Sequence, residues 1–168
     1  MPKIIENLPQ RLLEEARRQV EESGFSAMTI RTVAKGCGVG VGTVYNYYPS
    51  KEALVASFML DDWKICVASI EDAAANAQTL EPVLRVIYEK LLLFMKQYDP
   101  IIRDESAVSS YTGSTSKYHS VLRSQLAGPV RKFCRDDFTA EFIAEAMLSW
   151  TVAGKNFDDL KAVLLRIN

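Results

Sequence analysis

The chain of 168 residues has no long apolar run; the longest, Leu91 to Met95 and Ala162 to Leu165, are a few residues each. That is far short of the ~20 residues a helix needs to cross a bilayer, and the N-terminus has no apolar stretch of the signal-peptide kind. The expectation is a cytoplasmic protein with no membrane partner. Cysteine is scarce and odd in number: Cys37, Cys66 and Cys134 lie far apart with no CxxC spacing. Neither a disulfide framework nor a zinc site is suggested, so the three read as small buried side chains. There is one histidine, His119, with no HExxH and no GxSxG. Asp61-Asp62, Asp136-Asp137 and Asp158-Asp159 fall at helix ends or on solvated faces. No enzyme, metal site or resident cofactor is expected. An excess of either charge is lacking too. The net charge is −1, and residues 1–52 carry seven Lys/Arg against six Glu. A protein that coats nucleic acid by bulk electrostatics is excluded; any DNA contact must rest on a few placed groups.

What the chain has is apolar residues at helical spacing, 48% of the total, enough for a buried core. Leu8, Leu12, Leu13, Ala16 and Val20 line one face of a first helix that Gly24 ends, and Phe25 turns back into a small core. Thr29 caps a short second helix with Ile30, Val33, Ala34 and Cys37 inward. A third runs from about Val41 to Tyr48, and Pro49-Ser50 opens a long fourth over about 51–77, with Leu54, Phe58, Ile65 and Ile70 apolar. Thr79 with Pro82 begins a fifth helix that should end near Tyr98, before Asp99-Pro100. A shorter one reaches about Ser110, residues 112–117 are a loop, and a seventh covers about 118–134 with an interruption at Gly128-Pro129. The last two span about 139–153 and 157–167. No segment alternates with strand period, so the expected fold is all-α with about nine helices, in two domains over residues 1–52 and 53–168.

A helix-turn-helix restricts a handful of positions, because its two helices cross steeply on a tight turn. Counting from Ile30, the fifth residue is Ala34, small where the helices touch. The ninth is Gly38, free to make the turn, and the fifteenth is Val44, aliphatic on the inside of the second helix. Thr43, Tyr45, Asn46 and Tyr47 then occupy the recognition helix, whose side chains meet base edges and phosphates in the major groove. Asn46 carries an amide that can pair bidentately with adenine. Val44 and Tyr48 are expected in the core, packing this helix onto the first. The run Gly36 to Gly42 also invites a reading as a phosphate cradle, but a helical segment precedes it and Thr43, not lysine, follows Gly42.

The stretch Gly24-Phe25, Thr29 to Ala34, Gly38-Val39 and Gly42 to Leu54 closely resembles the N-terminal signature of the TetR family of transcriptional regulators, over about residues 8 to 55. The resemblance implies that Thr29 and Arg31 bond the DNA backbone or a nearby base. It implies that Thr43, Tyr45 and Tyr47 act from the recognition helix, and that Lys51 meets a phosphate at the start of the fourth helix. One departure stands out: Gly40-Val41 replaces the polar pair many members carry before the glycine matched by Gly42. Backbone at Gly40, Val41 and Gly42 is then open to a phosphate, and Val41 can touch a thymine methyl.

For the remainder, the resemblance implies a repressor released from a palindromic operator by a small-molecule inducer, acting as a homodimer on double-stranded DNA. Phe142, Met147, Trp150, Leu160, Val163, Leu164 and Ile167, with Phe138 and Val152 near them, are the candidate dimer residues; two helices from each subunit would make a four-helix bundle. Trp63, Tyr88, Phe94, Tyr98, Tyr111 and Tyr118 are the candidate effector contacts. An aromatic lining would suit a small apolar or cationic effector in a small cavity. The fourth helix, running from Lys51 past Trp63, is the expected link between effector and DNA. The alternative is a helix-turn-helix protein whose C-terminal domain serves protein assembly without a small ligand.

Overall fold

The computed structural model describes residues 6–104 and 115–168, with the side chains of 115–118 left aside. The described residues form eight α-helices and no strand: α1 Leu8–Ser23, α2 Ile30–Cys37, α3 Val41–Tyr45, α4 Lys51–Asn76, α5 Leu80–Ile102, α6 Thr115–Val130, α7 Asp137–Val152 and α8 Phe157–Ile167. A 3-10 turn, Arg131–Phe133, follows α6. The all-α expectation holds. The short helix expected up to Ser110 and the loop residues 112–114 lie outside the described residues.

By packing, the described chain forms two compact units. One holds the residues up to Asp61 with Asp99–Asp104, the other Asp62–Tyr98 with the residues from 115 onward. This division falls inside α4, whereas the sequence places its boundary where the helix-turn-helix motif ends. A single helix can begin in one unit and finish in the other.

In the first unit the apolar face of α1 is buried as its spacing predicts, through Leu8, Leu12, Leu13, Ala16 and Val20. Phe25, Met28, Val33, Ala34, Val44, Leu54 and Phe58 are among the residues buried with it. Two turns need glycine. Gly24 sits at φ +84° and Gly38 at φ +69°, a region where a Cβ collides with the backbone. Thr29 caps α2 reciprocally: its hydroxyl accepts from the Thr32 amide (3.1 Å), and the Thr32 hydroxyl accepts from the Thr29 amide (3.0 Å). Such a cap is worth roughly 1 kcal/mol.

The second unit buries Ile70, Val83, Leu84, Ile87, Leu126, Val130, Ile143 and Met147 completely. Its last two helices start at side-chain caps. Asp136 accepts from the Thr139 amide at 2.7 Å, and Asn156 from the Asp159 amide at 2.9 Å, so α7 begins two residues earlier than its apolar pattern indicates. Gly154, at φ +75°, makes the turn between α7 and α8.

Several expectations need correction. Pro100 does not stop α5, and Gly128-Pro129 does not interrupt α6; each proline lies in the final turn, where the helix ends one or two residues later. There the missing N–H deprives only one carbonyl of its donor. Helix α6 starts at Thr115, so residues 115–117 are helical rather than loop. Ile65 is 67% exposed, because at five residues from Ile70 it lies about 140° round α4 from the buried face. Cys37 is buried, but Cys66 and Cys134 are only partly so. Burial pushes all three thiols up, away from the reactive thiolate form.

Candidate nucleic-acid interface

In the first unit an open cleft of about 440 Å³ is lined by Thr29, Ile30, Arg31, Val41, Tyr45, Pro49, Ser50, Lys51 and Glu52. Five of these, Thr29, Arg31, Val41, Tyr45 and Lys51, are residues that the sequence selects. They come from the start of α2, both ends of α3 and the start of α4. The fold gathers them because Gly38 reverses the chain between α2 and α3, its amide and that of Val39 satisfying the Lys35 and Ala34 carbonyls (3.2 and 3.0 Å). Val44 is fully buried and anchors α3 from the inside.

The recognition helix is shorter than expected, ending at Tyr45 rather than Tyr48. Asn46 is its C-cap, Tyr47 lies in the turn beyond, and the Tyr48 amide closes that turn on the Val44 carbonyl (2.9 Å). Pro49 then keeps its predecessor from helical geometry. Asn46 is exposed at the opposite end of α3 from Val41. Tyr48, expected in the core, is half-buried; its hydroxyl donates to the Pro9 carbonyl on α1 at 3.3 Å. Desolvation, with the Asp61 charge behind it, raises its pKa, so it stays a neutral donor. It does pack α3 onto α1, but from the rim.

The start of α3 is bare. Gly40 has extended backbone and supplies no side-chain cap; Val41, Gly42, Tyr45 and Tyr47 are exposed and Thr43 is half-buried. Lys51 is seated: its ammonium donates to the Phe25 carbonyl at 2.7 Å and lies 4.0 Å from the Phe25 ring centroid, a cation–π contact. This ties the start of α4 to the turn after α1, a pairing across 26 residues without any local sequence signal. Ser50 caps α4 through the Ala53 amide (3.1 Å), and Glu52 adds a negative charge to the lining. Pro49, Ser50 and Glu52 were not selected from sequence. Arg31 is exposed.

In the second unit, Trp63, Phe94 and Tyr98 form one aromatic row. The Trp63 and Phe94 rings meet edge to face at 5.4 Å, and those of Phe94 and Tyr98 are tilted at 4.7 Å. The Trp63 indole donates to Gln125 (2.7 Å), while Asp62 accepts from the Tyr98 hydroxyl (2.5 Å) and from Gln97 (2.6 Å). Tyr88 is not in this row; it packs on Phe157 and donates to the Lys155 carbonyl (2.9 Å). Tyr111 and the side chain of Tyr118 lie outside the described residues. Of the candidate dimer residues, Met147, Leu160 and Leu164 are buried within their own unit and Ile167 is half-buried. Phe142 (48%), Trp150 (50%) and Val163 (56%) are exposed, with Phe138 (76%) and Val152 beside them in sequence.

The family model for bacterial regulatory proteins of the tetR family matches residues 12–58. The HTH-type transcriptional regulator UidR of Escherichia coli K12 is 32% identical over 62 residues, covering 37% of this chain and 32% of that one. The HTH-type transcriptional repressor KstR of Mycolicibacterium smegmatis is 30% identical over 95 residues, covering 56% of this chain and 46% of its own. The matched part of the chain thus spans about a third of UidR and under half of KstR. Thermus thermophilus FadR, a TetR-family transcriptional repressor solved in complex with lauroyl-CoA, superposes with a TM-score of 0.62 at 19% identity, over 95% of this chain and 92% of that one.

Proposed function

We propose, from the match of residues 12–58 to the tetR family of bacterial regulatory proteins, that the chain is a TetR-family transcriptional repressor that binds a palindromic operator in duplex DNA as a homodimer. The observation that carries this reading is the open cleft. It draws Thr29, Arg31, Val41, Tyr45 and Lys51 from three separate helices onto one surface. In this reading Thr29, Arg31, Tyr45, Tyr47 and Lys51 hold the backbone, Gly40 and Gly42 let it approach, and Val41, Thr43 and Asn46 face bases. One short α3 reads few bases, so a second copy is needed for specificity. Phe138, Phe142, Trp150, Val152 and Val163 supply the self-association surface, since exposed apolar groups of this size on α7 and α8 call for cover.

Release by a small apolar or cationic effector is the second part of the proposal. The Trp63–Phe94–Tyr98 row beside the Asp62 carboxylate supports it, offering rings to an apolar body and a negative charge to a cation. Helix α4 carries both Trp63 and Lys51. An effector that binds better to one arrangement of that helix shifts operator affinity by the difference and by nothing else.

Selection from random duplex DNA with the full chain, repeated with candidate effectors, tests both parts. An enriched inverted repeat that an effector releases supports the whole reading. Enrichment that no effector alters, together with an interior free of bound compound by native mass spectrometry, favours a C-terminal domain that only assembles the protein. No enrichment refutes the regulator reading.

A further inference from the structure

We propose that Val41 reads the C5-methyl of a thymine, so that each operator half-site is specified under α3 by a methyl contact at an A·T pair and not by a cation on guanine. The inference rests on the regulator reading above and names which base that site takes.

Each base edge in the major groove asks for a different side chain. Guanine takes Arg or Lys, adenine takes Asn or Gln, cytosine takes a carboxylate, and the thymine methyl takes an apolar group. Helix α3 contains Val41, Gly42, Thr43, Val44 and Tyr45, with no charged or amide side chain. Val44 is spent in the core at 0% exposure, while Val41 stands in the cleft at 37%. Asn46, the nearest amide, is the C-cap at the far end. The apolar reader is thus the one that α3 presents at its cleft-lining start.

The glycines on either side carry the point further. Neither Gly40 nor Gly42 has a positive φ, so conformation does not demand glycine at either place. Packing does not demand it either: a Cβ on Gly42 meets nothing within 4 Å, and one on Gly40 meets only the Thr43 hydroxyl at 3.8 Å. Elsewhere in this unit Gly24 and Gly38 are accounted for by positive φ, and a Cβ on Gly36 would have to displace the end of the Glu15 side chain. Bare backbone flanking one exposed valine is the shape that lets a second molecule press close around that side chain.

The test uses the full chain and the duplex it enriches from random sequence. Each thymine of that duplex is replaced in turn by deoxyuridine, which removes only the methyl. One thymine per half-site is expected to lose about fourfold in affinity, the worth of one buried methyl, and roughly sixteenfold when both half-sites are changed. Val41→Ala, checked for an unchanged melting transition, is expected to bind the thymine and uracil duplexes equally. A merely structural role for Val41 would weaken both and leave their ratio intact. Gly42→Ala supplies an independent arm: it is expected to raise thermal stability, as alanine does in a helix, and yet lower operator affinity. Tolerance of uracil at every position overturns the proposal, as does discrimination that survives in Val41→Ala, or a half-site specified by G·C pairs alone. Absence of any enriched duplex sinks the regulator reading itself, before a uracil is introduced.

Discussion

The exposed apolar side chains of α3 and its following turn differ in kind from those of α7. Around α3 they are Tyr45 and Tyr47, each with a hydroxyl, together with one small valine between glycines. On α7 they are Phe138, Phe142, Trp150 and Val152, of which only the indole can donate a hydrogen bond. A tyrosine surface suits a wet, polar partner, where the ring packs and the hydroxyl is still satisfied. A phenylalanine surface gains only from a dry one. On the proposed reading the first surface meets nucleic acid and the second another protein face, a division that the whole-chain net charge of −1 does not announce.

The largest effect that can break this contrast is at Val44. Placing a carboxylate at this fully buried position costs several kcal/mol, so Val44→Asp is expected to abolish operator binding while the second unit keeps a cooperative thermal transition. Retention of binding would show that α3 is not the reader. Ile143→Ala is the counterpart in the other core: an expected loss of about 2–5 kcal/mol, read from the denaturant midpoint. Operator affinity measured well below that midpoint should change less than twofold. A parallel collapse of affinity would mean that the two surfaces are not separately supported.

Phe142→Glu sharpens the claim for α7. A charge at a half-exposed position should leave the stability of one subunit within roughly 0.5 kcal/mol, yet shift sedimentation toward the monomer and weaken operator binding tenfold or more. An unchanged oligomer would move the dry surface elsewhere. The smallest effect concerns acid. The Thr139 hydrogen bonds hold the Asp136 carboxyl below its ordinary value, partly against desolvation and with help from Arg135. A carboxyl depressed on folding contributes stability that is complete above its unfolded pKa and is lost as pH falls through the folded one. Asp136→Ala is therefore expected to lower stability near neutrality and to flatten its decline below about pH 4. An equally steep acid limb in the variant would remove the cap from the account.

Legibility followed the cost of error at each residue. Thr29, Gly24, Gly38, Ala34 and Val44 could be placed from sequence because a cap, two positive-φ turns, a helix crossing and an inside position each admit few side chains. The ends of α3, α5 and α6 were misjudged because proline near a helix terminus is cheap in one turn and prohibitive in another, a matter of one or two residues. Ile65 and Tyr48 were misplaced because an apolar residue in a helix carries no label for which neighbour covers it.

By itself, the sequence determined the helical class of the described residues, a helix-turn-helix within the first fifty residues and a recognition helix without a charged side chain, because these depend on local conformation and spacing. Tertiary structure decided the rest. It seated Lys51 on Phe25, grouped Trp63, Phe94 and Tyr98 without Tyr88, and consumed Met147, Leu160 and Leu164 in the core while leaving Phe142 and Trp150 outside. The physical reason is that hydrophobic burial is non-directional: spacing says that a helix has an apolar face, and only packing against particular neighbours says which residues of that face remain free for a partner.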